Sequence, residues 1–395
     1  MKKLLAMMLT ASLTFSLVAC GGSSSDNTAE TAASEAASEV VEEATTEEAT
    51  EEVAAEETTE ETAEETEEAA EATDDAAALD GTGYKIGLVT DVGGVNDQSF
   101  NQSAWEGLQQ AQKEFGVEVS YLESSTDSDY ASNIETFIDE DYNLIICVGY
   151  MLADATREAA TANPDVKFAI IDDSSNADLD NVTCLTFKQE QASYLVGYVA
   201  GLTTKSNNVG FVLGMSSETM HLFGYGYAAG VLDANPDCTI QQMNANSFAD
   251  SAIGKTDATQ MITNGADVIF HAAGSTGLGV IEACQEAGDG IYAIGVDSDQ
   301  NYLAPDTVIT SAMKRVDVSV YDSVKGLLEG TIKGGEVVYD LSVGGVDIAP
   351  TTTLLSDDVI SKVEDVKAKI ISGEIKVPSS QSEFEATYGD VYELD

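Results

Sequence analysis

Hydrophobic residues in this chain come in short unbroken runs, each followed by turn residues and then by apolar positions at helical spacing. The runs span Lys85 to Thr90, Val117 to Leu122, Leu144 to Val148, Phe168 to Ile171 and Val182 to Thr186. A second series follows at Val209 to Leu213, Thr239 to Met243, Val268 to His271 and Tyr292 to Val296. Runs this short, without polar alternation, predict strands covered on both faces. Between them Ser103 to Phe115, Gln191 to Thr203, Ala258 to Asn264 and Leu278 to Ala287 carry the helical period. Strand and helix in alternation predict an α/β protein with parallel sheets between helical layers. The two series open alike, on YKIGLVTD and NNVGFVLG, which predicts two similar lobes.

Open parallel sheets bind ligands outside the carboxyl ends of their strands. Asp91, Asp172, Gly274 and Asp297 each stand at such an end, so four strand ends are expected to face one cleft. The segment DVGGVNDQSFNQSAWEGL, from Asp91 to Leu108, gathers carboxylates, glycines, side-chain amides and an aromatic on one strand-to-helix loop. Asp91 and Asn96 can read hydroxyls or ring nitrogens, and Phe100 offers a flat face for a planar ring. Taken alone, the loop reads equally as a turn and helix cap with Phe100 in the core. Trp105, the single Trp, is expected to pack the following helix.

The first residues change the picture of where the chain works. Lys2 and Lys3 precede an apolar run from Leu4 to Ala19 that ends in small residues before Cys20. This is the layout of a cleaved export signal, shorter than the roughly 20 apolar residues of a spanning helix. The end of the run, Leu17-Val18-Ala19-Cys20, resembles the bacterial lipobox, which implies a diacylated Cys20 anchoring the mature chain to a membrane. From residue 21 to residue 80 there are 22 acidic residues and no Lys or Arg, interleaved with Ala, Thr and Ser. Such a stretch buries too little apolar surface to offset chain entropy and is expected to be an extended tether.

Acidic residues outnumber basic ones by 70 to 17 over the whole chain, so the basic footprint of a nucleic-acid binder is absent. The excess also disfavours phosphorylated ligands. Cys147, Cys184, Cys238 and Cys284 sit in or beside apolar runs without CxxC spacing and read as small buried thiols. His221 and His271, the only histidines, have no second ligand at metal spacing. DSDQNYL lacks the Gly and Glu of a calcium loop, and GSTGLG has neither the glycine order of a dinucleotide fingerprint nor the Lys of a P-loop. No metal, cofactor or catalytic residue is expected.

The segments VTDVGGVNDQSFNQSAWEGL, FAIID, FHAAGSTGLGVIEA, YAIGVDSDQ and VITSAMKRVD stand in an order and spacing that resembles the basic membrane protein (BMP) family, lipoproteins similar to purine nucleoside receptor A. The resemblance covers residues 83 to 370. It implies a type I periplasmic-binding-protein fold: two Rossmann-like lobes joined by a three-crossover hinge. Residues 81–188 with about 305–338 would form the first lobe, and 189–304 with about 339–395 the second, after a signal at 1–19 and a tether at 20–80. It further implies a substrate-binding lipoprotein of an ABC importer, extracytoplasmic and monomeric, that captures a purine nucleoside for a membrane permease and its ATPase. The family pattern puts Asp91, Asn96, Phe100, Asp172, Phe248, Gly274, Asp297 and Lys314 in the ligand site. Phe100 and Phe248 would cover the two faces of the base, Asp297 would bind ribose hydroxyls, and Lys314 would reach a polar edge. The alternatives are a nucleoside hydrolase using Asp91 and Asp97, although no adjacent Asp pair is there to clamp a metal, and a receptor lipoprotein that signals instead of transporting.

Overall fold

The computed structural model describes residues 79–392 and 394, so the signal, Cys20 and almost all of the acidic stretch lie outside the described residues. The strands are β1 (Lys85–Val89), β2 (Glu118–Leu122), β3 (Leu144–Val148), β4 (Lys167–Ile171), β5 (Val182–Phe187), β6 (Asn208–Leu213), β7 (Thr239–Asn244), β8 (Val268–Ala272), β9 (Tyr292–Asp297), β10 (Val308–Lys314), β11 (Gly335–Tyr339) and β12 (Val346–Ile348). The helices are α1 (Phe100–Phe115), α2 (Tyr130–Asp139), α3 (Ala153–Ala162), α4 (Gln189–Thr203), α5 (Glu218–Ala234), α6 (Ser251–Thr263), α7 (Thr276–Ala287), α8 (Val316–Glu329), α9 (Asp357–Ile371) and α10 (Gln381–Tyr388).

Two six-stranded sheets result, in the orders β11-β5-β4-β3-β1-β2 and β12-β10-β9-β8-β6-β7. Every pairing is parallel except that of β12 with β10. The unbroken apolar strands are the central ones: β3 is buried along its whole length, as is β8, because helices cover both faces. Each sheet and its helices make one lobe, and the described residues of both lobes belong to a single compact unit.

The chain passes between the lobes three times, from Phe187 into α4, from Lys314 into α8, and after Tyr339 towards β12. The second passage corrects the boundary expected near residue 305. Val308–Lys314 is hydrogen-bonded to β9 in the second sheet, and only from Val316 does the chain pack on α1 of the first lobe. The apolar VITSAMK run is a buried strand of its own.

The second lobe is held by an unusually close pair of helices. A methyl on Gly197 of α4 would lie 2.2 Å from the carbonyl oxygen of Tyr227, and one on Gly230 of α5 only 2.0 Å from that of Tyr194. No residue but glycine fits such an approach. Cys147, Cys184, Cys238 and Cys284 are free and buried.

Candidate functional site

The carboxyl ends of the two sheets face each other across a cleft of about 500 Å³, a figure that includes its open mouth. Volumes of this order suit a small organic molecule. Its wall contains every residue of the expected ligand site except Asn96.

Asp91 follows β1, and one of its oxygens accepts from the Gly93 N–H (2.9 Å) and the Asn101 side-chain amide (2.7 Å). Burial pushes its carboxyl up to about 6, with those donors opposing the rise. Asp97 receives the backbone N–H groups of Ser99, Asn101 and Gln102 at 2.9, 2.9 and 3.0 Å, so its carboxylate caps the start of α1. Phe100, the first residue of α1, is half-buried with its ring in the cleft wall.

Asp172 follows β4 in a left-handed conformation, φ 68°, and forms an ion pair with Lys314. Its other oxygen is buried without a hydrogen-bond partner among the described residues. Lys314 closes β10 and is 2% exposed, so an ammonium of the second lobe meets a carboxylate of the first inside the protein. The ammonium also lies 4.7 Å from the ring centroid of Phe100, 5.1 Å from Phe187 and 5.7 Å from Phe223. Three electron-rich faces thus help to hold the desolvated cation.

Asp297, at the end of β9, is also left-handed, φ 64°. Ser99 of the first lobe donates its hydroxyl to this carboxylate. Burial pushes Asp297 up to about 7; Lys314 and Ser99 oppose the rise, while Asp97 and Asp172 add to it. Gly274 has φ 54°, and a methyl there would lie 3.0 Å from the carbonyl oxygen of Phe248. Phe248 packs over Gly214, where a methyl would come within 2.4 Å of its ring. The bare glycines therefore let the ring lie against the strand ends of the second lobe.

Asn96 corrects the expectation: it is exposed and forms no part of the cleft wall. Val95 is buried, with its N–H held by Glu123 at 2.9 Å, and the turn that follows points Asn96 outward. Asp97 and Asn101 face inward instead, joined by Tyr150, Met220 and Phe223, which sequence reasoning did not single out as ligand contacts. Asp97 and Asn101 carried one available signal, an acidic residue four positions before an amide at a helix start. Trp105 packs edge-on against Tyr121 at 4.8 Å, away from the cleft wall.

His271 is fully buried in β8, and burial lowers its pKa to about 4, so the ring is neutral. Gln300 comes near it, but neither ring nitrogen has a partner of hydrogen-bonding geometry among the described residues. His221 shares a 2.8 Å hydrogen bond with Ser216. Asp299 is committed to the Thr351 hydroxyl (2.5 Å) and to the Asn301 N–H (3.2 Å), the bonds of a turn.

Residues 85–381 match the Bmp family, described as ABC transporter substrate-binding protein PnrA-like. The chain is 42% identical to the CD4+ T-cell-stimulating antigen of Listeria innocua serovar 6a, over 77% of this chain and 90% of that protein. It is 39% identical to basic membrane protein A of Borreliella burgdorferi, over 76% of this chain and 89% of that one. With the ABC transporter nucleoside-binding protein BmpA of Lactococcus lactis subsp. cremoris it shares 38% identity, over 77% and 93% respectively. Among solved structures, a solute-binding protein of an ABC transporter system from Aeropyrum pernix K1 superposes with a TM-score of 0.71 at 29% identity, covering 78% of this chain and 97% of that one. A sugar-binding protein of a Bacillus halodurans sugar ABC transporter, at 16% identity and a TM-score of 0.54 over 70% of this chain and 99% of its own, shares the fold.

Proposed function

The chain belongs to the Bmp family of PnrA-like ABC transporter substrate-binding proteins, and we propose that it captures a purine nucleoside between its lobes and hands it to a membrane permease. The family consists of binding proteins, not enzymes. Substrate-binding proteins of ABC importers work outside the cytoplasm, and no helix among the described residues is long and apolar enough to cross a membrane.

The observation that carries the ligand class is the pair of aromatic rings, Phe100 from one lobe and Phe248 from the other, in the wall of one cleft rimmed by carboxylates. A planar base held between such rings gains about 1–3 kcal/mol per stacking face. Asp91 supplies an acceptor for the N–H edge of the base, Asp297 accepts from ribose hydroxyls, Lys314 and Asp172 bind a polar edge, and Gly274 lets the backbone come close. With four carboxylates, Asp91, Asp97, Asp172 and Asp297, against the single ammonium of Lys314 in that wall, a phosphorylated ligand would meet net repulsion. Hydrogen-bond donors such as sugar hydroxyls and ring N–H groups suit it instead. Hinge closure around the ligand would present both lobes to a permease driven by its ATPase. A lipid on Cys20 and the acidic stretch behind it would keep the monomer at the membrane's outer face.

Isothermal titration of the chain, stripped of copurifying ligand, against purine and pyrimidine nucleosides, free bases and ribose tests this reading, with the products checked by chromatography. One-to-one binding of a purine nucleoside, recovered intact, is expected. Silence towards every nucleoside would discard the ligand, and a cleaved nucleoside would overturn the binding-protein reading.

A further inference from the structure

The loop ahead of α1 is bonded to the opposite lobe at three points. The Gln98 carbonyl oxygen accepts from the side-chain amide of Gln300 at 2.8 Å. The Gln98 side-chain oxygen accepts from the Tyr302 hydroxyl at 2.7 Å. Ser99 donates its hydroxyl to Asp297. Each side is also held by contacts within its own lobe. Gln98 is held in a left-handed conformation, φ 57°, and the Ser99 N–H is fixed on Asp97. Gln300 is fully buried; its side-chain oxygen accepts from Val296 N–H at 3.0 Å and its own N–H donates to Ser311 at 3.1 Å. Its amide NH₂ therefore has one direction in which to point, towards the first lobe. These three bonds join one lobe directly to the other, so parting the lobes there would break them.

We propose that Gln98 and Ser99 form an interlobe clasp with Asp297, Gln300 and Tyr302, and that Ser99 is a positioning residue which orients the Asp297 carboxylate towards the ligand only on closure. The orienting role rests on the reading of Asp297 as a ligand contact; the clasp itself does not. Around Asp297 stand the charge of Lys314 from its own lobe and those of Asp97 and Asp172 from the lobe of Ser99. Ser99 thus supplies a neutral donor from the far lobe, whose loss on opening leaves the carboxylate free to turn. Release of ligand is then gated by breaking the clasp, and the effect of a lost bond falls on dissociation more than on association.

The test uses the full chain and three variants. Tyr302 is 55% exposed, so Tyr302→Phe removes one bond without disturbing the fold. In hydrogen exchange without added nucleoside, Tyr302→Phe is expected to speed exchange of residues 95–103 in the opposite lobe about threefold, and Ser99→Ala to speed residues 296–304 by more. In stopped-flow, guanosine is expected to leave Tyr302→Phe about threefold faster and Ser99→Ala about tenfold faster, with association little changed, and Ser99→Thr to restore the native rate. Faster exchange confined to the lobe that carries the substitution would overturn the clasp. Guanosine leaving Ser99→Ala at the native rate would overturn the positioning role. If guanosine does not bind the native chain, the nucleoside reading fails, and the exchange comparison still decides the clasp; if Ser99→Ala does not fold, Tyr302→Phe decides it alone.

Discussion

Asp172 and Asp297 hold matching positions in the two lobes: each stands at the end of a central strand, each is a non-glycine residue in the left-handed region, and the ammonium of Lys314 acts on both. The match extends the likeness of the two opening strands, YKIGLVTD and NNVGFVLG, to the far side of each lobe. Left-handed backbone in a residue with a side chain costs on the order of 1–2 kcal/mol, and the surroundings must hold it there. Here it turns both carboxylates into the cleft.

Lys314→Met is expected to destabilise the protein by about 3–5 kcal/mol, because it leaves the buried Asp172 carboxylate without its counter-charge. Adding Asp172→Asn should recover much of that loss, since the charge left alone is then removed. Denaturant unfolding of the single and double variants checks this, and a double variant no more stable than the single would show that the pair is not what Lys314 supports.

Acidity should move stability in a defined direction. The folded-state values of Asp297, about 7, and Asp91, about 6, lie above the ordinary 3.8. The folded form therefore binds extra protons between those limits, so this contribution is fully present below about pH 4 and is lost as pH rises through 6 to 7. A tenfold change in proton affinity is worth about 1.4 kcal/mol. Asp297→Asn should gain on the native protein, without ligand, as pH rises from about 5 to 8. Thermal unfolding across that range reads the difference, and parallel curves would mean that Asp297 is not held above its ordinary value.

Removing the ring of Phe100 should weaken nucleoside binding at least about tenfold, the stacking of one face being worth about 1–3 kcal/mol. The side chain is half-buried at the start of α1, so the fold should survive. Calorimetry on Phe100→Ala decides it, and near-native affinity would refute the stacking.

Much of this architecture is written in the chain. β3 and β8 are legible as unbroken apolar runs because both of their faces are covered. α5 is not: from Phe223 to Val231 every residue is buried, so no polar face marks a helical period. β11 hides for the opposite reason, being a short edge strand, GEVVY, with three exposed residues. In the cleft, strand ends and aromatics stood out, whereas the choice between Asn96 and its neighbour Asp97 depended on the buried Val95 and on the helix cap, neither visible in the residue types alone.

Cys20→Ala is expected to release the protein from membranes into the medium while leaving ligand affinity unchanged. Fractionation of cells carrying the variant is the check, and a variant that stays with the membrane would sink the lipid anchor.

The three passages between lobes also govern how the chain can fold. The first lobe takes its helix α8 and edge strand β11 from residues 316–339, and the second takes β12 from beyond them. Neither is complete until nearly all of the chain is present, and contacts so distant in sequence slow folding. A chain cut just before Val316 would leave α1 without the helix it packs on and β5 without its outer neighbour. Two lobes that are separate in space therefore have to be assembled as one.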